Sequence, residues 1–206
     1  DLLRSRQFLG YAVGGACATT SFYAFIACAP FIFVDRLHVA SAHVGLYLTL
    51  LVSGLWLGSV IASRLIARFS LTKFVVAANA LSVAAAASFL ALLIFDRATL
   101  AGTIASMFVF GVGVGAAAPA ALVKAISVNP RVTGTASGLY GSVQMTVGAA
   151  LVALAGLGGN PALASAVVLV GAGVVAQASF WFARSQPSAL PKPESGTGSE
   201  AVAAAE

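Results

Sequence analysis

Six long apolar runs separated by short polar breaks organise this chain, at about residues 8–34, 42–65, 74–95, 100–123, 134–157 and 162–183. At about 1.5 Å per residue, a helix over any of them crosses about 30 Å of hydrocarbon. The break after the second run, from Arg64 to Lys73, carries three basic residues and no acid. In a soluble core its flanking runs would need burial on every side, so it reads as a cytoplasmic turn between two transmembrane helices. Residues 185–206 are mostly Pro, Ser, Gly, Glu and Ala. They cannot bury a core and are expected to form a disordered cytoplasmic tail.

Composition agrees with lipid as the solvent. Of 206 residues, 60% are hydrophobic and 8% charged, against about 25% charged in a soluble domain. The net charge of +5 raises nucleic acid as a partner. The basic residues are scattered singly, however, with no stripe of stacking aromatics, and no nucleic-acid binding is expected.

Their placement encodes topology. With six spans both ends share a side, which collects Arg4, Arg6, Arg64, Arg68, Lys73, Lys124, Arg131, Arg184 and Lys192, leaving Arg36 and Arg97 opposite. Nine against two puts both termini and the Arg64 loop in the cytoplasm of a cell whose (inner) membrane the chain crosses. The chain begins with Asp1 and its first run ends in no small-residue cleavage site. No signal peptide is expected, and the sequence reads as a piece of a longer protein.

Several constellations could carry chemistry. The first run holds Thr19, Thr20, Ser21 and Tyr23 at mid-membrane, and the fifth holds Tyr140 and Gln144 one turn apart. Thr20, Tyr23, Tyr140 and Gln144 combine aromatic faces with hydrogen bonds at membrane depth, and either line a binding cavity or glue helices together. GxxxG spacings at Gly10/Gly14, Gly54/Gly58, Gly111/Gly115 and Gly134/Gly138 allow close helix approach, either as plain packing or for helices that rock. Gly111, Gly113, Gly115 and Pro119 also weaken the fourth helix, which could bend there.

Other readings fail on chemistry. His38 and His43 with Asp35 do not supply the three or four convergent ligands of a metal site. Cys17 and Cys28 are eleven residues apart, about 16 Å along a helix and beyond disulfide reach. Thr135-Ala136-Ser137-Gly138 resembles an intramembrane protease motif, but both histidines belong to the far boundary and no base is available to Ser137. No metal, no cofactor and no enzymatic activity are expected. No Asp, Glu, Lys or Arg lies in the middle of a span, so the six helices offer no proton-carrying carboxylate.

The arrangement resembles the C-terminal half of a major facilitator superfamily transporter, most closely the Bcr/CflA-type drug and metabolite exporters. The resemblance covers about Arg4 to Arg184. Three stretches carry it: Tyr23 with Ala29-Pro30-Phe31-Ile32-Phe33-Val34; Gly45-Leu46 through Gly54 and Leu57-Gly58-Ser59 to Arg64-Leu65; and Pro130, Gly134-Thr135-Ala136-Ser137 with Gln144. In the superfamily's loop signature an acid precedes the first arginine, where this chain has Ser63. A charge relay through the loop is therefore not expected, and Arg64, Arg68 and Lys73 read as a topological anchor.

The resemblance implies an all-α membrane protein of six transmembrane helices, one half of a major facilitator fold, made of two inverted three-helix repeats. It implies that the first and fourth helices line a cavity, with Thr20, Tyr23 and the Gly111 to Gly115 stretch as cavity elements, beside Tyr140 and Gln144, which are candidates on their side-chain chemistry alone. It turns the second and fifth, with packing glycines Gly54, Gly58, Gly134 and Gly138, toward an N-terminal six-helix half in the same polypeptide or a separate one. The implied function is proton-coupled efflux of drugs or small amphipathic metabolites by alternating access. The alternative is a truncated or non-transporting membrane protein acting as a structural or assembly partner.

Overall fold

The computed structural model describes residues 5–66, 68–129 and 132–184. Arg4, Arg131 and the expected tail with Lys192 lie outside the described residues. The helices are α1 (Arg6–Pro30), continued by a π-helical segment (Phe31–Arg36), α2 (Ser41–Leu65), α3 (Leu71–Ile94), α4 (Leu100–Ile126), α5 (Thr133–Gly156) and α6 (Pro161–Arg184). All six are long and apolar enough to cross a membrane, and no strand occurs among the described residues.

Local chemistry sets the ends. Ser5 caps α1 by accepting from the Phe8 amide at 3.3 Å, and Thr99 caps α4 by accepting from Gly102 at 3.1 Å. Asn160 accepts from the Leu163 amide at 3.2 Å ahead of Pro161, which suits the first helical position because its missing N–H is not needed there. Past Pro30 the backbone widens, and the Leu37 amide bonds the Ile32 carbonyl at 3.1 Å, five residues back.

Two helices overrun the apolar pattern by three residues at one end: α3 starts at Leu71, and α4 continues through Pro119 to Ile126. Basic side chains explain both. Lys73 and Lys124 can reach the interface from a helix that extends beyond the hydrocarbon. Lys73 is in the first turn of α3, where the helix dipole disfavours a cation, so its position answers to the membrane surface and not to helix stability.

α1 and α4 pack against each other at the centre. α1 is flanked by α5 and α6, α4 by α2 and α3, and α3 packs on α6. Exchanging α1–α3 for α4–α6 maps this set of neighbours onto itself, and an odd number of helices per repeat turns the second copy over in the membrane. The burial follows: 67% and 56% of the apolar windows of α1 and α4 are buried, against 22% and 17% for α2 and α5.

The core has two characters. Toward the Arg36 end it is aromatic, with Phe25 edge-on to Phe89 at 5.7 Å and Phe22 stacked on Phe110 at 6.0 Å. Toward the Arg64 end Phe8, Tyr11 and Phe180 sit among Ala12, Ala121, Ala125 and Ala176. At the aromatic end, Arg36 pairs with Asp96 at 2.8 Å, joining the α1–α2 and α3–α4 connections.

Candidate functional site

The seams α2–α4 and α1–α5 are equivalent under the repeat, and parallel helices form both. Their chemistry differs. Along α2–α4 the backbones touch: a Cβ on Gly58 would fall on the Val112 carbonyl, and one on Gly115 on the Leu55 carbonyl. One on Gly54 would lie 2.7 Å from the Phe108 carbonyl oxygen, and one on Gly111 3.0 Å from that of Leu51.

This seam also accommodates Pro119. Proline has no N–H for the carbonyl four residues back, which belongs to Gly115. The Ser59 hydroxyl lies 3.1 Å from that oxygen and 3.0 Å from its own helix's Leu55 carbonyl. A donor from α2 thus reaches the carbonyl that the proline leaves open.

Along α1–α5 side chains meet. Gln144 donates from Nε2 to the Thr19 hydroxyl at 2.8 Å, and that hydroxyl donates to the Gly15 carbonyl at 2.7 Å. Tyr140 is buried, with its hydroxyl where a Cβ on Gly15 would be. That hydroxyl has no hydrogen-bond partner among the described residues. Thr20 is fully buried, donates to the Ala16 carbonyl at 2.8 Å, and packs where a Cβ on Gly148 would lie 3.0 Å from its own.

One strip of the buried α1 is open. Tyr23 is 46% exposed, and Ala27, Pro30 and Phe31 follow at helical spacing. Tyr23 is near the middle of the Arg6–Arg36 span.

The structure therefore sorts the expected site residues. Tyr23 is on an open surface, and Gln144 is half-buried and tied to Thr19, one turn before Tyr23 on α1. Thr20 and Tyr140 are inside the α1–α5 seam. Gly111 and Gly115, expected at a cavity, are instead buried against the α2 backbone, because two facing GxxxG surfaces interlock there and leave no room between them. Gly54 and Gly58 pack within this chain, not on a facing half, for the same reason. Gly134 and Gly138 have open space where a Cβ would be, as does Gly141. Arg64, Arg68 and Lys73 are all exposed at one end, with Ala67 between them outside the described residues.

Residues absent from the expected set also matter. Thr19 is the partner that holds Gln144. Asn79 of α3 donates to Gln177 Oε1 at 2.6 Å and to the Gly173 carbonyl at 3.0 Å on α6. Each is the lone side-chain amide of its helix, and a solitary amide in a span signals a polar partner across a helix interface.

No protein-family model and no curated protein sequence matches the chain. Its fold is similar to the in meso crystal structure of the POT family transporter PepTSo, with a TM-score of 0.74 and 17% identity, covering 91% of this chain and 40% of that chain. The likeness is one of fold, and the chain spans less than half the length of that transporter. The protein is accordingly a multi-pass membrane protein whose six helices share the fold of about two fifths of that transporter.

Proposed function

We propose that the chain is the C-terminal half of a secondary active transporter, of the Bcr/CflA drug-efflux type, working by alternating access against an N-terminal six-helix half. The observation that carries this reading is the outer face of α5, where Gly134, Gly138 and Gly141 present a surface that nothing among the described residues covers. Small residues let helix backbones approach closely in lipid, and the transporter of similar fold is more than twice as long as the part matched. The open strip of Tyr23 and the half-buried Gln144, held on Thr19 one turn away, form the wall for a small amphipathic substrate. Thr20 and Tyr140 support that wall from the seam. Proton coupling resides in the other half, since no span carries a carboxylate at its centre. Both termini and Arg64, Arg68 and Lys73 face the cytoplasm, following the excess of basic residues on that side.

Co-reconstitution with an N-terminal half of matched subfamily tests this. Expected are substrate-dependent changes in Trp56 or Trp181 fluorescence and efflux dissipated by a protonophore. No response with any matched half would favour a non-transporting membrane protein, and protonophore-sensitive efflux by the 206-residue chain alone would overturn the half-transporter reading.

A further inference from the structure

From the lateral groove between α1 and α6 at the basic end, we infer a site for one anionic phospholipid. The groove has a volume of about 510 Å³ and is lined by Arg6, Leu9, Gly10, Val13, Ser179 and Phe182, with Ala178 on its α6 side. Below the arginine its walls are apolar apart from Ser179, which suits an acyl chain. Arg6 is exposed at the mouth, and a guanidinium binds phosphate with paired, charge-assisted hydrogen bonds.

Three further observations favour a lipid headgroup. A Cβ on Gly10 would lie 2.8 Å from that of Ala183, which places Arg184 at the same basic end as Arg6, about 4.5 Å nearer the membrane centre at about 1.5 Å per residue. Arg184 lies over the Trp181 ring at 5.1 Å on the adjoining face of α6. A tryptophan under an arginine marks the level of the headgroups. The Ser179 hydroxyl, unlike those of Thr19, Thr20 and Ser165, bonds no carbonyl among the described residues. It is free to donate to a glycerol ester. Basic pockets between transmembrane helices are a recurrent way of holding acidic headgroups. The inference does not depend on the transport reading.

The chain has two tryptophans, so Trp56→Phe leaves Trp181 as a reporter beside the groove. The full chain carrying that change is reconstituted in phosphatidylcholine vesicles with a small equal fraction of either brominated phosphatidylglycerol or brominated phosphatidylcholine. The acidic lipid should quench Trp181 with an apparent affinity about fivefold higher, the scale of one arginine acting near the surface. Arg6→Gln should bring the two lipids to parity, and Arg97→Gln, at the opposite end, should not. Ala178→Phe, which fills the groove and leaves every charge in place, should also remove the preference. Equal quenching by the two lipids would overturn the inference, as would a preference surviving both Arg6→Gln and Ala178→Phe. Competition by free inorganic phosphate would overturn it too, by identifying a simple anion site.

Discussion

The α2–α4 and α1–α5 seams occupy equivalent places in the two repeats, yet one is closed by backbone and the other by side chains. In the first, four glycines bring carbonyls and α-carbons into direct contact, and the one open carbonyl, at Gly115, faces Ser59. In the second, a tyrosine hydroxyl, a glutamine and two threonines share a narrow space, with one buried hydroxyl unpartnered. The glycine seam can shift only by breaking close packing along its length. The polar seam can exchange hydrogen bonds without losing contact. Two copies of one architecture thus separate a stiff wall from an adaptable one, and the adaptable one lies next to the open strip of Tyr23.

The largest break in this comparison should come from Gly58→Val or Gly115→Val. Each places a branched side chain on a carbonyl of the partner helix, and neither backbone can yield without unravelling its own hydrogen bonds. Overpacking of this kind costs about 3 kcal/mol. Denaturation in mixed detergent micelles should show an unfolding free energy lower by about that amount, or little folded protein. A value under about 1 kcal/mol would mean that the seam is looser than the geometry requires.

The polar seam predicts a change of opposite sign. Tyr140→Phe removes a hydroxyl that is buried without a partner and should stabilise the fold by about 1 kcal/mol, read by the same titration. Gln144→Leu should cost about 0.6 kcal/mol, the mean for interhelical hydrogen bonds in a membrane. It leaves the Thr19 hydroxyl its bond to the Gly15 carbonyl. If Tyr140→Phe destabilised more than Gln144→Leu, the hydroxyl would have a partner, such as a water held between α1, α4 and α5.

Much of the architecture was legible because lipid imposes a simple rule on long apolar runs, and the basic break at Arg64 to Lys73 separates two of them. Helix ends were less legible where Lys73 and Lys124 let a helix outrun its apolar stretch. The seams were least legible of all. GxxxG at Gly111 and Gly115 announces a close approach, but a spacing within one helix cannot say whether α2 or a cavity lies opposite. For the same reason Gln144 reads as the neighbour of Tyr140 on its own helix, when its hydrogen bond goes to Thr19, 125 residues away in sequence. Asn79, Gln144 and Gln177 are each the single side-chain amide of their helix, a pattern that points to a partner across an interface without saying which helix supplies it.

The smallest expected effect makes the sharpest contrast with Gly58. Gly138 belongs to the same kind of motif, yet a Cβ there meets nothing within 4 Å. Gly138→Ala should therefore leave the stability of this chain unchanged, or raise it by up to about 1 kcal/mol as alanine replaces glycine inside a helix. Gly138→Leu should be nearly as well tolerated in micelles. The proposed half-transporter adds a second measurement to this neutrality. Co-purification with a matched N-terminal half should fall with Gly138→Leu and persist with Gly171→Leu, a glycine of α6 with equally open surroundings. Equal loss at both positions would show that α5 is not the docking face, and loss of stability in the chain alone would show that Gly138 packs inside it.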